Sequence, residues 1–228
     1  MIAEGGDVTE RAGMTVRLTG IRVCVFDAYG TLFDVNSAAA QAKEELGEKW
    51  LALADLWRAK QLQYTWLRSL MGRHADFWQL TGDALDFAMA TMGLADSTLR
   101  ERLMKLYLRL DAYSEVKASL TCLKQVGMRL AILSNGSPEM LASAVENSGL
   151  TGLFDTVLSV EEVGIFKPHP SVYRLAVDRM EISAEEICFL SSNGWDAHAA
   201  KAFGFRVLWC NRFGQHGEHI PDRFTQGA

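Results

Sequence analysis

The chain has 228 residues, of which 49% are hydrophobic and 22% charged, and its formal net charge is −5. This length can bury one sizeable core with at most a small accessory domain. The acidic balance excludes the basic surface that nucleic-acid-binding proteins carry. We therefore expect one enzyme-sized globular unit that binds no nucleic acid.

Residues 1–19 lack the apolar stretch of a signal peptide and show no helical or strand periodicity, so they are predicted to form a disordered N-terminal tail. No later stretch is long and apolar enough to span a bilayer. The four cysteines show no metal-ligand spacing and are interpreted as reduced thiols. These features predict a cytoplasmic protein without membrane association.

Five short apolar or β-branched runs predict strands. They are residues 21–26, 129–133, 156–160, 187–190 and 205–210. The later four are separated by helix-like segments, an alternation typical of parallel sheets with crossover helices. The sequence thus predicts an α/β fold with a doubly wound parallel sheet as its core.

A long segment between the first two strands, from about Asn36 to Lys124, shows helical periodicity and contains no proline. It predicts a helical cap domain inserted after the first strand. We assign residues 36–112 to the cap, and residues 20–35 and 113–228 to the core.

The clearest helix boundary follows the second strand. Ser137 suits an N-cap, Pro138 suits the first helical position, and Gly149 suits the C-terminal stop. We expect this helix to begin beside the carboxyl end of the second strand.

Polar residues stand where three of the predicted strands end, namely Asp27, Ser134 and Ser191. One such residue alone is commonly a turn or capping residue. In open α/β sheets, however, ligands bind beyond the carboxyl ends of the strands. Three polar strand ends therefore predict a functional site at this edge.

Five sequence blocks in the region 21–214 resemble the haloacid dehalogenase superfamily, and within it the L-2-haloacid dehalogenases. The blocks are "FDAYGTLFDV", "LWRAKQLQYTWLRSLM", "LSNGSPEML", "FKPHPSVY" and "FLSSNGWDAHAAKAFGF". The resemblance implies a Rossmann-like core with a helical cap, and in many members a homodimer. It also implies hydrolysis of 2-haloalkanoic acids to 2-hydroxyalkanoic acids and halide, with preference for the L enantiomer and with no metal or other cofactor.

The resemblance also implies the residues of the site. The catalytic set is Asp27, Thr31, Arg58, Ser134, Lys167, Tyr173, Ser191, Asn193 and Asp196, and the substrate-binding set is Ala28, Tyr29, Leu62, Phe77, Asn135 and Trp195. In this assignment Asp27 is the nucleophile, Lys167 is its counter-ion, and Arg58 receives the departing halide.

Tyr29 stands where phosphatases of the superfamily usually carry a second aspartate, which protonates an alkoxide leaving group. A halide ion is a very weak base and needs no proton, so a dehalogenase can use this position for an aromatic pocket wall. In the block from Ser191 to Asp196, only Asp196 is acidic, whereas Mg²⁺ sites typically use two or more carboxylates. An isolated Asp196 could instead cap the following helix.

From its neighbours alone, Arg58 could pair with Asp55 or extend along an apolar helix surface, whereas the resemblance favours a halide-binding role. Ala59 follows it, where relatives often carry glutamine, which bears on the substrate range. A phosphatase and a non-catalytic binding protein are the alternatives. Tyr29 and Asn193 count against the phosphatase, and the retained charge cluster counts against the binding protein.

Aromatic residues are frequent in the predicted cap. They include Trp50, Trp57, Tyr64, Trp66 and Trp78. Because a small helical domain cannot easily bury so many large side chains, this richness, together with the family resemblance, predicts a homodimer.

Overall fold

The computed structural model describes residues 18–220 and contains a five-stranded parallel sheet with strand order β3-β2-β1-β4-β5. The strands are β1 (Val23–Phe26), β2 (Arg129–Ser134), β3 (Thr156–Ser159), β4 (Ile187–Ser191) and β5 (Arg206–Trp209). All five predicted strands are confirmed. Of the predicted disordered tail, residues 1–17 lie outside the described residues, as do residues 221–228 of the predicted core.

Six α-helices lie between β1 and β2 along the chain, and we call the part that holds the first five, residues 37–107, the helical insertion. These five are α1 (Ser37–Gln41), α2 (Lys43–Leu46), α3 (Trp50–Met71), α4 (Phe77–Thr91) and α5 (Ser97–Tyr107). The remaining α-helices flank the sheet: α6 (Val116–Gln125), α7 (Pro138–Asn147), α8 (Pro170–Met180) and α9 (Gly194–Phe203). No helix among residues 18–220 is long and apolar enough to cross a membrane.

The central strand β1 is buried along its whole length, as expected for a parallel strand covered on both faces. The register pairs Phe26 with Ile132 of β2 and with Leu190 of β4. The chain therefore leaves β1 at Asp27 next to the point where β4 ends at Ser191. This confirms that the polar residues at these strand ends share one edge of the sheet.

Helix α7 begins and ends as its sequence predicts. The Ser137 side chain accepts a hydrogen bond from the backbone N–H of Met140, and Pro138 is the first helical residue. Gly149 follows the helix with φ +63°, a left-handed conformation that glycine adopts without strain.

Two chain segments that connect the core to the helical insertion run side by side. The N–H of Tyr113 donates to the carbonyl of Leu32 at 3.0 Å, and the N–H of Asp34 donates to that of Asp111 at 2.8 Å. These paired segments lie next to the predicted domain boundaries at 35/36 and 112/113. We propose that they form the hinge between the two predicted domains.

Candidate active site

The site is built around Asp27, the residue that follows β1. Its Oδ1 lies 3.0 Å from Nζ of Lys167, and the same Nζ lies 2.8 Å from Oδ2 of Asp196. The side chains of Lys167 and Asp196 are 1% and 0% exposed. One buried ammonium group is therefore shared by two carboxylates, with little water to screen their attraction.

Lys167 keeps its proton in this environment. Burial by itself lowers the pKa of Lys167, but the carboxylates of Asp196 and Asp27 outweigh burial and raise the pKa above its ordinary value. The ammonium group also lies 5.0 Å from the centre of the Phe189 ring. Lys167 is thus a fixed cation beside Asp27.

Asp196 lies at the start of α9 and is held by further donors. The hydroxyl of Tyr173 donates to Oδ1 at 2.6 Å, and that of Ser191 donates to Oδ2 at 3.2 Å. Burial raises the pKa of Asp196, and the Lys167 ammonium acts against that rise. Burial also raises the pKa of Tyr173 well above its ordinary value, so the phenol keeps its proton and remains a donor.

The second oxygen of Asp27, Oδ2, is held from two other elements. Thr31 Oγ1 donates to it at 3.0 Å, and Nδ2 of Asn193 donates at 2.8 Å. Thr31 reaches back to Asp27 because the chain turns at Gly30, where φ is +88°, a value that favours glycine. Both carboxylate oxygens of Asp27 are therefore oriented by donors.

Arg58 brings a cation from α3 of the helical insertion to this edge of the sheet. Its Nη2 donates to the carbonyl of Tyr29 at 3.3 Å and lies 3.5 Å from Oδ1 of Asn193. Since the amide of Asn193 also contacts Asp27, it bridges the arginine and the carboxylate. Among the described residues, Arg58 forms no ion pair with Asp55, the partner considered as an alternative.

A fixed carboxylate facing a polar site, with a nearby guanidinium from another element, is suited to nucleophilic displacement at carbon. The comparison with protein families agrees with this chemistry. The model of the haloacid dehalogenase-like hydrolases matches residues 21–204. The chain belongs to this family.

Individual relatives show which members of this family the chain is similar to. The chain is 48% identical over 200 residues to (S)-2-haloacid dehalogenase 1 of Pseudomonas sp. (strain CBS-3), covering 87% of this chain and 88% of the relative. The crystal structure of a dehalogenase has a TM-score of 0.90 at 44% identity and covers 92% of this chain and 93% of its own. The predicted resemblance to the L-2-haloacid dehalogenases is therefore confirmed.

A further structure is that of the L-2-haloacid dehalogenase from Xanthobacter autotrophicus with chloropropionic acid covalently bound. It has a TM-score of 0.80 at 43% identity and covers 86% of this chain and 79% of its own. In that relative, therefore, the acid is attached covalently to the protein.

The aromatic and apolar residues predicted to bind substrate in this hydrolase lie in two different surroundings. Tyr29 and Phe77 are buried, with ring centres 5.6 Å apart. Leu62 and Trp195 are half-buried and line a cavity of about 380 Å³ beside Arg58. Ala59 lines the same cavity, so a larger residue at position 59 would reduce its volume.

Three of the predicted site residues, Ser134, Asn135 and Ala28, lie at the same edge of the sheet. Their hydrogen bonds described here are formed with residues other than Asp27. Ser134 Oγ accepts from the N–H of Gly136 at 3.1 Å, which leaves the hydroxyl proton of Ser134 for another acceptor. Asn135 Oδ1 accepts from the backbone N–H of Lys167 at 3.0 Å. Ala28 is fully buried, and its carbonyl accepts from the turn that carries Thr31.

Gln61 is a site residue to which the sequence interpretation gave no role. Its Oε1 accepts from Nη1 of Arg58 at 2.8 Å, and its Nε2 donates to the hydroxyl groups of Thr81 and Tyr107 at 2.8 and 3.0 Å. Gln61 therefore orients Arg58 from inside the helical insertion. The sequence feature that could have identified Gln61 as a partner of Arg58 is the spacing of three residues between them, because residues three apart are neighbours on a helix.

Metal ligands do not cluster in the described part of the hydrolase. Among residues 18–220, no group of three or more His, Cys, Asp or Glu side chains is arranged to hold a metal ion. The two carboxylates that meet in the site, Asp27 and Asp196, have Lys167 between them. The absence of a cofactor from the reaction stays a prediction.

Proposed function

We propose that this hydrolase converts short 2-haloalkanoic acids, with preference for the L (S) enantiomer, into 2-hydroxyalkanoic acids with inversion at C2. The observation that carries the proposal is the placement of Asp27. Its carboxylate is held by Lys167, Thr31 and Asn193, and the last of these also lies beside Arg58. A nucleophile that follows β1 and a cation from α3 are thus brought together at one site.

In the first step, a carboxylate oxygen of Asp27 attacks C2, and the carbon–halogen bond breaks with its electron pair leaving on the halide. Arg58 lies where it can stabilise the departing anion, since a guanidinium has five N–H donors and only part of them are used by Gln61, Tyr29 and Asn193. The product of this step is an ester between Asp27 and the acid.

In the second step, water attacks the carbonyl carbon of the ester and loses a proton. The acyl–oxygen bond then breaks, the leaving alkoxide takes up the proton that the water lost, and the hydroxy acid and the Asp27 carboxylate are released. Burial raises the pKa of Asp196, which suits this residue to accept a proton near the ester. Tyr173, Ser191 and Lys167 hold it in place.

The substrate carries its own carboxylate, which Asp27 would repel if no donors offset the charge. We assign its binding to Ser134, to backbone N–H groups near Ala28 and Asn135, and to the N-terminus of α7, where the helix dipole favours an anion. The phosphatase alternative lacks a proton donor at position 29. Burial raises the pKa of Tyr29 well above its ordinary value, so this phenol is a poor acid.

The direct test of this proposal is halide release from each enantiomer of 2-chloropropionate, measured with EDTA present throughout. We expect release from the S enantiomer at a rate that EDTA does not alter, because none of the proposed steps uses a metal ion. Release that stops with EDTA and returns with Mg²⁺ would contradict the metal-free route. Equal rates with both enantiomers would contradict the proposed stereochemical preference.

Arg58→Ala should slow halide departure by about 10²-fold or more, since one well-placed donor for a developing anion contributes this much. Gln61 and Asn193 would remain, but neither carries a positive charge. The measurement is kcat for 2-chloro- and 2-bromopropionate, with circular dichroism as the check on folding. Lys60→Ala, which removes a half-buried lysine of the same helix whose partners are Gln63 and the Phe87 ring, is the matched control. An unchanged kcat for both substrates would remove Arg58 from the mechanism.

We also propose a homodimer that forms through the helical insertion. Trp57, one of the aromatic residues on which the dimer prediction depended, is buried inside the insertion and cannot contact a partner. Exposed apolar side chains are found at the C-terminal part of α3, where Leu67, Leu70 and Met71 are 43%, 85% and 62% exposed. Exposed apolar side chains at helical spacing are typical of an interface.

Light scattering at micromolar concentration should give twice the chain mass for the wild-type protein and the single-chain mass for Leu70→Glu. Val126→Glu serves as the control, because Val126 is 71% exposed but follows α6 on the core. A wild-type protein of single-chain mass would contradict the dimer.

A further inference from the structure

We propose that Arg212 is a positioning residue for the nucleophile, which it orients through Thr31 without touching the substrate. The proposal rests on the proposed function, because it assigns to Asp27 the role given above. Arg212 lies three residues beyond the end of β5, outside the set of residues that the sequence assigned to the site.

The guanidinium of Arg212 is directed at one backbone oxygen. Its Nε and Nη2 both donate to the carbonyl of Thr31, at 3.0 and 2.7 Å. The Arg212 side chain is only 19% exposed, so little water is available to replace these bonds. A paired donation of this kind fixes direction as well as distance, because the guanidinium is planar.

Thr31 carries the effect from Arg212 to Asp27. While its carbonyl is held by Arg212, its hydroxyl donates to Oδ2 of Asp27 at 3.0 Å and accepts from the N–H of Ser192 at 2.9 Å. A shift of the Thr31 backbone would therefore move a donor to the nucleophile. No other side chain in the described part of the chain is recorded as donating to the Thr31 carbonyl.

Arg212 also contacts the segment by which the chain returns from the helical insertion. Its guanidinium carbon lies 3.8 Å from the centre of the Tyr113 ring, and Nη2 lies 2.6 Å from Oε1 of Glu115. Glu115 is 54% exposed on its side chain, and such ion pairs contribute little to stability. The stacking on Tyr113 and the two hydrogen bonds to the Thr31 carbonyl are thus the contacts that set the position of the guanidinium.

A cavity beside Arg212 makes a specific experiment possible. It has a volume of about 490 Å³, and its lining includes Arg212, Thr31 and Glu115. If the side chain is truncated, a small guanidinium compound can reach the vacated place through this cavity. Recovery of activity with such a compound would separate positioning of Thr31 from a general loss of packing.

The test compares Arg212→Ala and Arg212→Lys with the wild-type enzyme on (S)-2-chloropropionate. We expect kcat for Arg212→Ala to fall about 10- to 100-fold, the size of effect that a misplaced reacting group produces. KM should stay within about threefold, because the substrate contacts are intact. Ethylguanidinium should restore part of the lost kcat in Arg212→Ala. Arg212→Lys should fall between the two, since lysine cannot form the paired donation or the planar stack.

Arg22→Ala, which removes an exposed arginine paired with Glu186, is the matched control and should leave kcat and KM unchanged. The inference is wrong if both Arg212 variants keep the wild-type kcat, or if the loss in folded Arg212→Ala is unaffected by ethylguanidinium. If Arg212→Ala does not fold, the kcat of Arg212→Lys tests the inference: a reduced kcat supports it, and a wild-type kcat contradicts it. A wild-type protein that releases no halide would overturn the proposed function and, with it, this inference.

Discussion

Asp27→Asn should abolish halide release, with a loss of more than about 10⁴-fold, the scale seen when an enzyme loses its nucleophile. Asparagine has nearly the same shape as aspartate but offers no anionic oxygen to attack C2. The bonds from Thr31 and Asn193 to the side-chain oxygen can in part persist, so the fold should survive. The measurement is halide release under conditions in which the wild-type enzyme completes many turnovers.

The matched control for this variant is Asp178→Asn, an exposed position on α8, which should retain full activity. An intact-mass measurement before and after the assay guards against hydrolysis of the new amide back to aspartate. Turnover by a verified Asp27→Asn protein would mean that water attacks C2 directly and that Asp27 is at most a general base.

Lys167→Met should reduce kcat by about 10³-fold, as expected when a preorganised charge next to the reacting group is lost. Methionine fills a similar volume but leaves Asp27 and Asp196 without the cation that lies 3.0 and 2.8 Å from them. Removing one partner from a buried ion pair costs about 3–5 kcal/mol. A cost of this size lowers the Tm of a protein this large by roughly 10 °C.

The pH dependence of Lys167→Met follows from the same charges. Burial raises the pKa of Asp196, and without the ammonium group only the weaker effect of the hydrogen bond from Tyr173 acts against that rise. The repulsion between the two carboxylates is then no longer offset by a cation between them. Protonated carboxylates are poor nucleophiles and bases, so residual activity should increase as the pH rises. Lys201→Met, at an exposed position on α9, should show the wild-type profile. A Lys167→Met protein with wild-type kcat would show that the ammonium does not serve catalysis.

The strands and the edge on which the site lies could be predicted because their determinants are local. Each strand is a short apolar run, and a polar residue marks the point where the chain leaves the sheet, as at Asp27 after the buried strand β1. The signals that start and stop α7 are likewise carried by Ser137, Pro138 and Gly149. Parallel pairing then requires these strand ends to meet.

Contacts between residues that are distant in the sequence could not be predicted from such local signals. Gln61 is a buried polar residue whose role depends on where Thr81 and Tyr107 lie after the helices pack. Arg212 is 181 residues from Thr31 in sequence, and an arginine after a strand has no local feature that predicts such a partner. The surroundings of Tyr29 and Phe77, buried together away from the cavity at Leu62, are also fixed only by tertiary packing.

The measurement that tests the central claim most directly is a single turnover of (S)-2-chloropropionate in H₂¹⁸O with enzyme in excess. If Asp27 attacks C2 and water then attacks the ester carbonyl, the hydroxyl oxygen of the first product comes from Asp27. Mass spectrometry should therefore find unlabelled lactate of the R configuration and one ¹⁸O in the peptide that contains Asp27. Heavy oxygen at C2 of the lactate, with an unlabelled Asp27 peptide, would contradict the covalent route.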